Sequence, residues 1–121
     1  EVLIPQKGVI SMSNQTDLLT GANRTFDGSV TIGGSADNSF TVSSVTAVTT
    51  DSTVTASASK PSGNILRITV NNPASSANDG TASHVVTVTD GNGYVITKSF
   101  TTQYKINYIK SHKTFLLYNK L

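Results

Sequence analysis

Apolar and polar positions alternate most clearly between Ser83 and Thr102, where SHVVTVTDGNGYVITKSFTT sets two runs of Val, Ile, Thr, Tyr and Phe around Asp90-Gly91-Asn92-Gly93. Period-two patterning on both sides of a Gly/Asn turn predicts a β-hairpin. A three-residue loop from Gly91 to Gly93, with Gly93 in the left-handed region, sets Val88 opposite Ile96, Val86 opposite Lys98 and His84 opposite Phe100. A two-residue loop would pair Val88 with Thr97 and mix the faces. The first register is the expected one, because a slip of one residue turns the whole apolar set toward solvent.

A lone hairpin does not hold itself together in water, so other strands must cover its apolar face. The same period recurs upstream. Gly28 to Ile32 reads as a strand ended by Gly33-Gly34, and Ser39 to Val48 as another, with Phe40 and Val42 on one face and a bulge at Ser43-Ser44. Thr53 to Ser59 places Val54, Ala56 and Ala58 on one side, and Asn64 to Val70 turns Leu66, Ile68 and Val70 inward. Near the start, Val2-Leu3-Ile4 and Val9-Ile10 are interrupted by Pro5 and Gly8, which fits an edge strand or an arm. Ser13 to Asp27 is polar apart from Leu18-Leu19 and reads as loop with at most one short strand, and Asn71 to Thr81 as a long polar connection. About seven short strands spaced by turn signals predict an all-β chain folded as an immunoglobulin-like antiparallel β-sandwich. The expected organisation is an arm, loop or edge strand over residues 1–27, the sandwich over 28–103, and a C-terminal extension over 104–121.

Charge sharpens the last boundary. The chain carries +2 overall, but residues 1–103 are slightly acidic, whereas 104–121 hold Lys105, Lys110, Lys113 and Lys120 and no acid. The segment YKINYIKSHKTFLLYNKL would, as a strand, put Tyr104, Ile106 and Tyr108 on one face, and as a helix would gather Ile109, His112 and Leu116; its pattern fits both. Tyr104, Tyr108, Lys110, Lys113, Phe115, Leu116 and Tyr118 are the candidate partner-docking residues, apolar and aromatic anchors interleaved with lysines that suit an acidic protein surface or self-assembly. Lysines and aromatics also hold single-stranded nucleic acid. The acidic body and the scarcity of arginine favour the protein partner. With no cysteine there is no disulfide, and no apolar run approaches the ~20 residues of a membrane-spanning helix.

Candidate chemistry is sparse. Nucleophilic catalysis needs a base beside the nucleophile and a group to orient it. Only His84 and His112 could serve; the first falls on the inward face of a strand, the second in the basic tail, and no G-x-S-x-G elbow occurs. No enzyme, cofactor or metal centre is expected. Asp37-Asn38, Asn78-Asp79, and Asp90 with Asn92 offer oxygen donors in loops, but without the spacing of a calcium loop they read as turn formers. Asn14-Gln15-Thr16 and Asn23-Arg24-Thr25 match the glycosylation pattern as a Ser/Thr-rich chain does by chance. Asp37, Asn38, Asp90, Asn92 and Tyr94 are the candidate ligand-loop residues, and a sugar platform would draw on Tyr94, Tyr104 and Tyr108. Lys98 shares a face with Ile96 and Phe100 in the preferred register; it is expected to snorkel at the rim rather than to form an isopeptide bond.

The strand Ile65–Val70 with Asn71-Asn72, then Asp79-Gly80-Thr81, the strand Val85–Thr89, the turn Asp90–Gly93 and the closing Phe100-Thr101-Thr102-Gln103 resemble the second half of bacterial immunoglobulin-like repeats of the BACON type. The resemblance implies a non-catalytic module that displays, spaces or binds. The leading expectation is a phage virion accessory, of capsid-decoration or fibre type, docked through its terminal segments and touching host glycans weakly. The alternative is a carbohydrate-binding or spacer module of a bacterial surface or secreted protein.

Overall fold

A computed structural model of the chain describes residues 3–19, 23–48, 54–71 and 80–105. Among them are nine strands in two sheets packed face to face: β1 (Val9–Ser11), β2 (Gln15–Leu19), β3 (Asn23–Ile32), β4 (Ser35–Ala36), β5 (Thr41–Val45), β6 (Thr55–Ser59), β7 (Ile65–Asn71), β8 (Gly80–Thr89) and β9 (Val95–Lys105). One sheet runs β1-β3-β7-β6, with β4 also on β3; the other runs β2-β9-β8-β5. The chain is an immunoglobulin-like β-sandwich, all-β in its described residues.

The β8–β9 hairpin has the expected register, with Val88 opposite Ile96, Val86 opposite Lys98 and His84 opposite Phe100. Asp90 N–H donates to the Tyr94 carbonyl at 2.8 Å, closing a loop whose Gly93 has φ +88°. Only glycine takes that conformation without strain, which is why a turn ending in Gly93 fixes the register. The β5 bulge falls between Val42 and Ser44, as the Ser43-Ser44 pair suggests. Val30, Phe40, Leu66, Ile68, Val70, Ala82, Val86 and Val88 are fully buried between the sheets, with Phe26 set edge-on to Phe100 across the core at 5.9 Å.

The N-terminal third departs from expectation. The strand expected from Gly28 begins at Asn23 and, over Asn23–Ser29, pairs with β7 along Asn71–Ile65. Its first half alternates Asn23, Thr25 and Asp27 outward against Arg24 and Phe26, leaving one large apolar residue to announce it. The pairing is secured on the outer face by a two-pronged contact of Arg67 with Asp27, at 2.9 and 3.1 Å. That guanidinium lowers the Asp27 pKa. Upstream, β1 is an edge strand on β3, and the chain then crosses to the other sheet, where the short strand allowed between Ser13 and Asp27 forms as β2, running parallel to β9. At the other end, β9 continues to Lys105, past the expected limit at Gln103.

His84 lies on the inward face as expected and is fully buried there, at 1 % exposure, stacked on Phe100 with ring centroids 4.9 Å apart. Nδ1 lies 3.0 Å from the Thr46 carbonyl and Nε2 2.8 Å from Thr102 Oγ1. A carbonyl only accepts, so Nδ1 carries the proton and the Thr102 hydroxyl donates to Nε2. Burial lowers the His84 pKa, the Thr46 carbonyl opposing it in part. The unfolded chain therefore binds this proton more readily than the folded one. Stability is expected to be intact above the ordinary value of 6.5 and to fall as the pH drops below it toward the lowered folded value. Urea midpoints at pH 7.5 and 5.5 check this; an unchanged midpoint contradicts it.

Candidate functional site

The sequence-selected loop residues meet at one pole of the sandwich. Asp37 follows the tight β3–β4 turn and Asp90 closes β8, two positions where short loops favour Asp. Asp37 Oδ1 accepts from Ser39 N–H at 3.0 Å and Oδ2 from Gly91 N–H at 2.8 Å, tying the β4–β5 loop to the hairpin turn. Asp90 Oδ1 accepts from the amides of Asn92 and Tyr94, both at 2.9 Å, and Oδ2 from Gly8 N–H at 2.7 Å. Burial pushes the Asp90 pKa up, but the amides of Gly8, Tyr94, Asn92 and Gly93 outweigh it and the net shift is downward. Both carboxylates are buried, at 6 and 3 % exposure, so the donors facing them are backbone rather than solvent.

The turn also clamps an arm. Asn92 Nδ2 donates to the Gln6 carbonyl at 2.8 Å, Tyr94 Oη to the Pro5 carbonyl at 3.1 Å, and Lys7 Nζ lies 5.7 Å above the Tyr94 ring. Asn38 is exposed beside this cluster; its carbonyl, and that of Phe40 at 3.1 Å, accept from Lys60 Nζ, which also caps the Phe40 ring. Sequence reasoning did not find Gln6, Gly8 or Lys60, and no local signal marks them, since their partners lie 20 to 86 residues away. Another such residue is Asn14, whose Oδ1 accepts from Thr101 N–H at 2.9 Å.

Of the expected docking residues, Tyr104 belongs to β9, opposite Gly80 and Leu18. Tyr108, Lys110, Lys113, Phe115, Leu116 and Tyr118 lie outside the described residues, as do His112 and Asn78-Asp79. Lys98 is exposed, although it alternates with the buried Ile96 and Phe100 along β9 and stands opposite Val86. Among the described residues no three His, Asp or Glu side chains gather as a metal site.

A different surface emerges from the strand register. On the outward side of β8 and β9, Ser83 stands opposite Thr101, Val85 opposite Ser99 and Thr87 opposite Thr97, with Ser44 of β5 beside Thr87. Apart from Val85, which is exposed among them, these alternate positions carry hydroxyls, and none carries a charge. A sheet face with hydroxyls on alternate residues can exchange hydrogen bonds with a polyol at little desolvation cost.

The fold and this surface define a β-sandwich module of immunoglobulin-like class. No family model matches the chain, and neither does any curated protein. Among solved structures it is similar to the SrpA adhesin from Streptococcus sanguinis, with TM-score 0.54 and 13% identity over 91% of this chain and 62% of that one. A point mutant of the same adhesin gives 0.51 and 14% over 89% and 62%. Domains 4 and 5 of the S-layer protein SbsC give 0.46 and 16% over 85% and 46%. At such identities the adhesin likeness is one of fold, and the chain spans about three fifths of the adhesin structures, 62% of each.

Proposed function

We propose that the chain is a non-catalytic adhesive or display module of a bacterial cell-surface or secreted protein, contacting glycans weakly through the outward face of β8 and β9. The observation that carries this reading is the uncharged hydroxyl row Ser44, Thr87 and Thr97, with Ser83, Ser99 and Thr101 alongside. The adhesin-like fold supports it. His84 supports the non-catalytic part, since both ring nitrogens are bonded inside the core. The likeness to the adhesin structures favours a bacterial-surface module over a virion accessory, so the bacterial-surface reading takes first place.

Displayed multivalently on beads, the whole chain is expected to retain a subset of glycans on an array. Replacing both Ser83 and Thr87 with Glu should abolish retention while leaving the melting temperature within about 2 °C, because outward surface substitutions rarely shift stability. Failure to retain any glycan at high display density overturns the adhesive reading.

A further inference from the structure

β9 is covered on its outer edge along only part of its length. β2 joins it at Thr102 and continues to Lys105. Because Asp90 and Tyr94 form a hydrogen-bonded pair, every second pair along the antiparallel hairpin is bonded in the same way: Val88 with Ile96, Val86 with Lys98, His84 with Phe100. The backbone groups of the intervening residues Val95, Thr97 and Ser99 therefore point away from β8. The N–H of Thr101, next in that series, points the same way and is taken by Asn14. Among the described residues no strand pairs with Val95, Thr97 or Ser99 on that side.

The uncovered stretch lines a groove of about 400 Å³ between β9 and the edge strand β1. Ile10 and Ile96, at 4 and 8 % exposure, form its floor, and Val9 and Val95, at 61 and 64 %, stand exposed along its rims. Lys7 and Lys98 are its charged residues, and no acid lines it. We propose that this groove accepts an extended segment of a partner protein as an added β-strand, with aliphatic residues over Ile10 and Ile96 and acidic residues facing Lys7 and Lys98. Five residues at ~3.3 Å each give a ladder of about 17 Å, the length of an ordinary strand. Edge lysines also discourage pairing of identical edges. A second copy would bring its own Lys7 and Lys98 against these, so like charge opposes self-pairing and opposite charge selects the partner. This surface is the edge of β9 and shares Thr97 with the outward β8–β9 face assigned to glycans, but Ser83 and Thr87 lie outside the groove and Lys7 and Lys98 outside the hydroxyl row, so either assignment can fail alone.

The test uses the whole chain, isotopically labelled, and a fluorescent nonapeptide of alternating Val and Thr flanked by Asp-Glu at both ends. The acidic peptide is expected to bind and to slow hydrogen exchange at the amides of Val95, Thr97 and Ser99 at least tenfold. Lys98→Glu should weaken binding at least tenfold, and a Lys-flanked peptide should bind at least tenfold more weakly than the acidic one. Thr97→Pro removes an outward N–H from an edge, where proline is tolerated, and should abolish binding. Equal binding of acidic and basic peptides, unchanged affinity in Lys98→Glu, or unaltered exchange at the three amides overturns the proposal. So does concentration-dependent dimerisation of the chain that protects those same amides without peptide.

Discussion

Gly28→Ala is expected to destabilise the chain by about 2–3 kcal/mol, seen as a lower urea midpoint with an unchanged slope. The cause is the crossover between sheets. Where the chain leaves β1 it passes directly over β3, and a methyl group on Gly28 would press into the Ser11 carbonyl oxygen and stand 2.6 Å from Met12 Cε. The methionine can swing aside, but the carbonyl belongs to the β1 backbone, so β1 itself must lift from β3. Met12 and Ile10, both buried, would be partly uncovered by that movement. A loss below about 0.5 kcal/mol, the range of neutral surface changes, contradicts the tight crossover.

Asp90→Ala is expected to lower the melting temperature by on the order of 10 °C and to release the arm. One buried carboxylate serves three amides from two distant segments, Gly8 on one side and Asn92 with Tyr94 on the other. Alanine leaves those donors without an acceptor, and buried unpaired donors are costly. Amide exchange at Gly8 reads the effect directly: fast exchange in the variant with β3 and β7 still protected supports the clamp. A melting temperature within about 2 °C of the parent would contradict it. Since the Asp90 pKa is lowered, its contribution is present above the ordinary 3.8 and is lost as pH falls through the folded value.

Residues whose partners are close in sequence were legible. The hairpin could be read to the residue because Asp90, Asn92 and Gly93 dictate their own turn, and Leu66, Ile68 and Val70 announced an inward face by alternation alone. Of β2 only a short strand somewhere around Leu18-Leu19 was legible; its parallel pairing was not, because the partner strand lies over 80 residues away, and Asn23–Asp27 offers only Phe26 as an apolar mark. The loop residues show the same division. Asp37 and Asp90 were recognisable as turn formers, but their bonds to Gly91 and Gly8 depend on how separate loops meet at the pole. The hydroxyl face was visible only as a bias toward Ser and Thr until the register set Ser44, Thr87 and Thr97 side by side.

The direction of β2 bears on how the module carries tension. The arm at Pro5–Gly8 lies at the pole of the Asp90 turn, where β9 begins, while Lys105 ends β9 near the opposite pole. Because β2 and β9 run parallel, a pull on residue 3 against residue 105 draws the two strands lengthwise past each other. Their hydrogen bonds are then strained together in shear rather than peeled apart one after another.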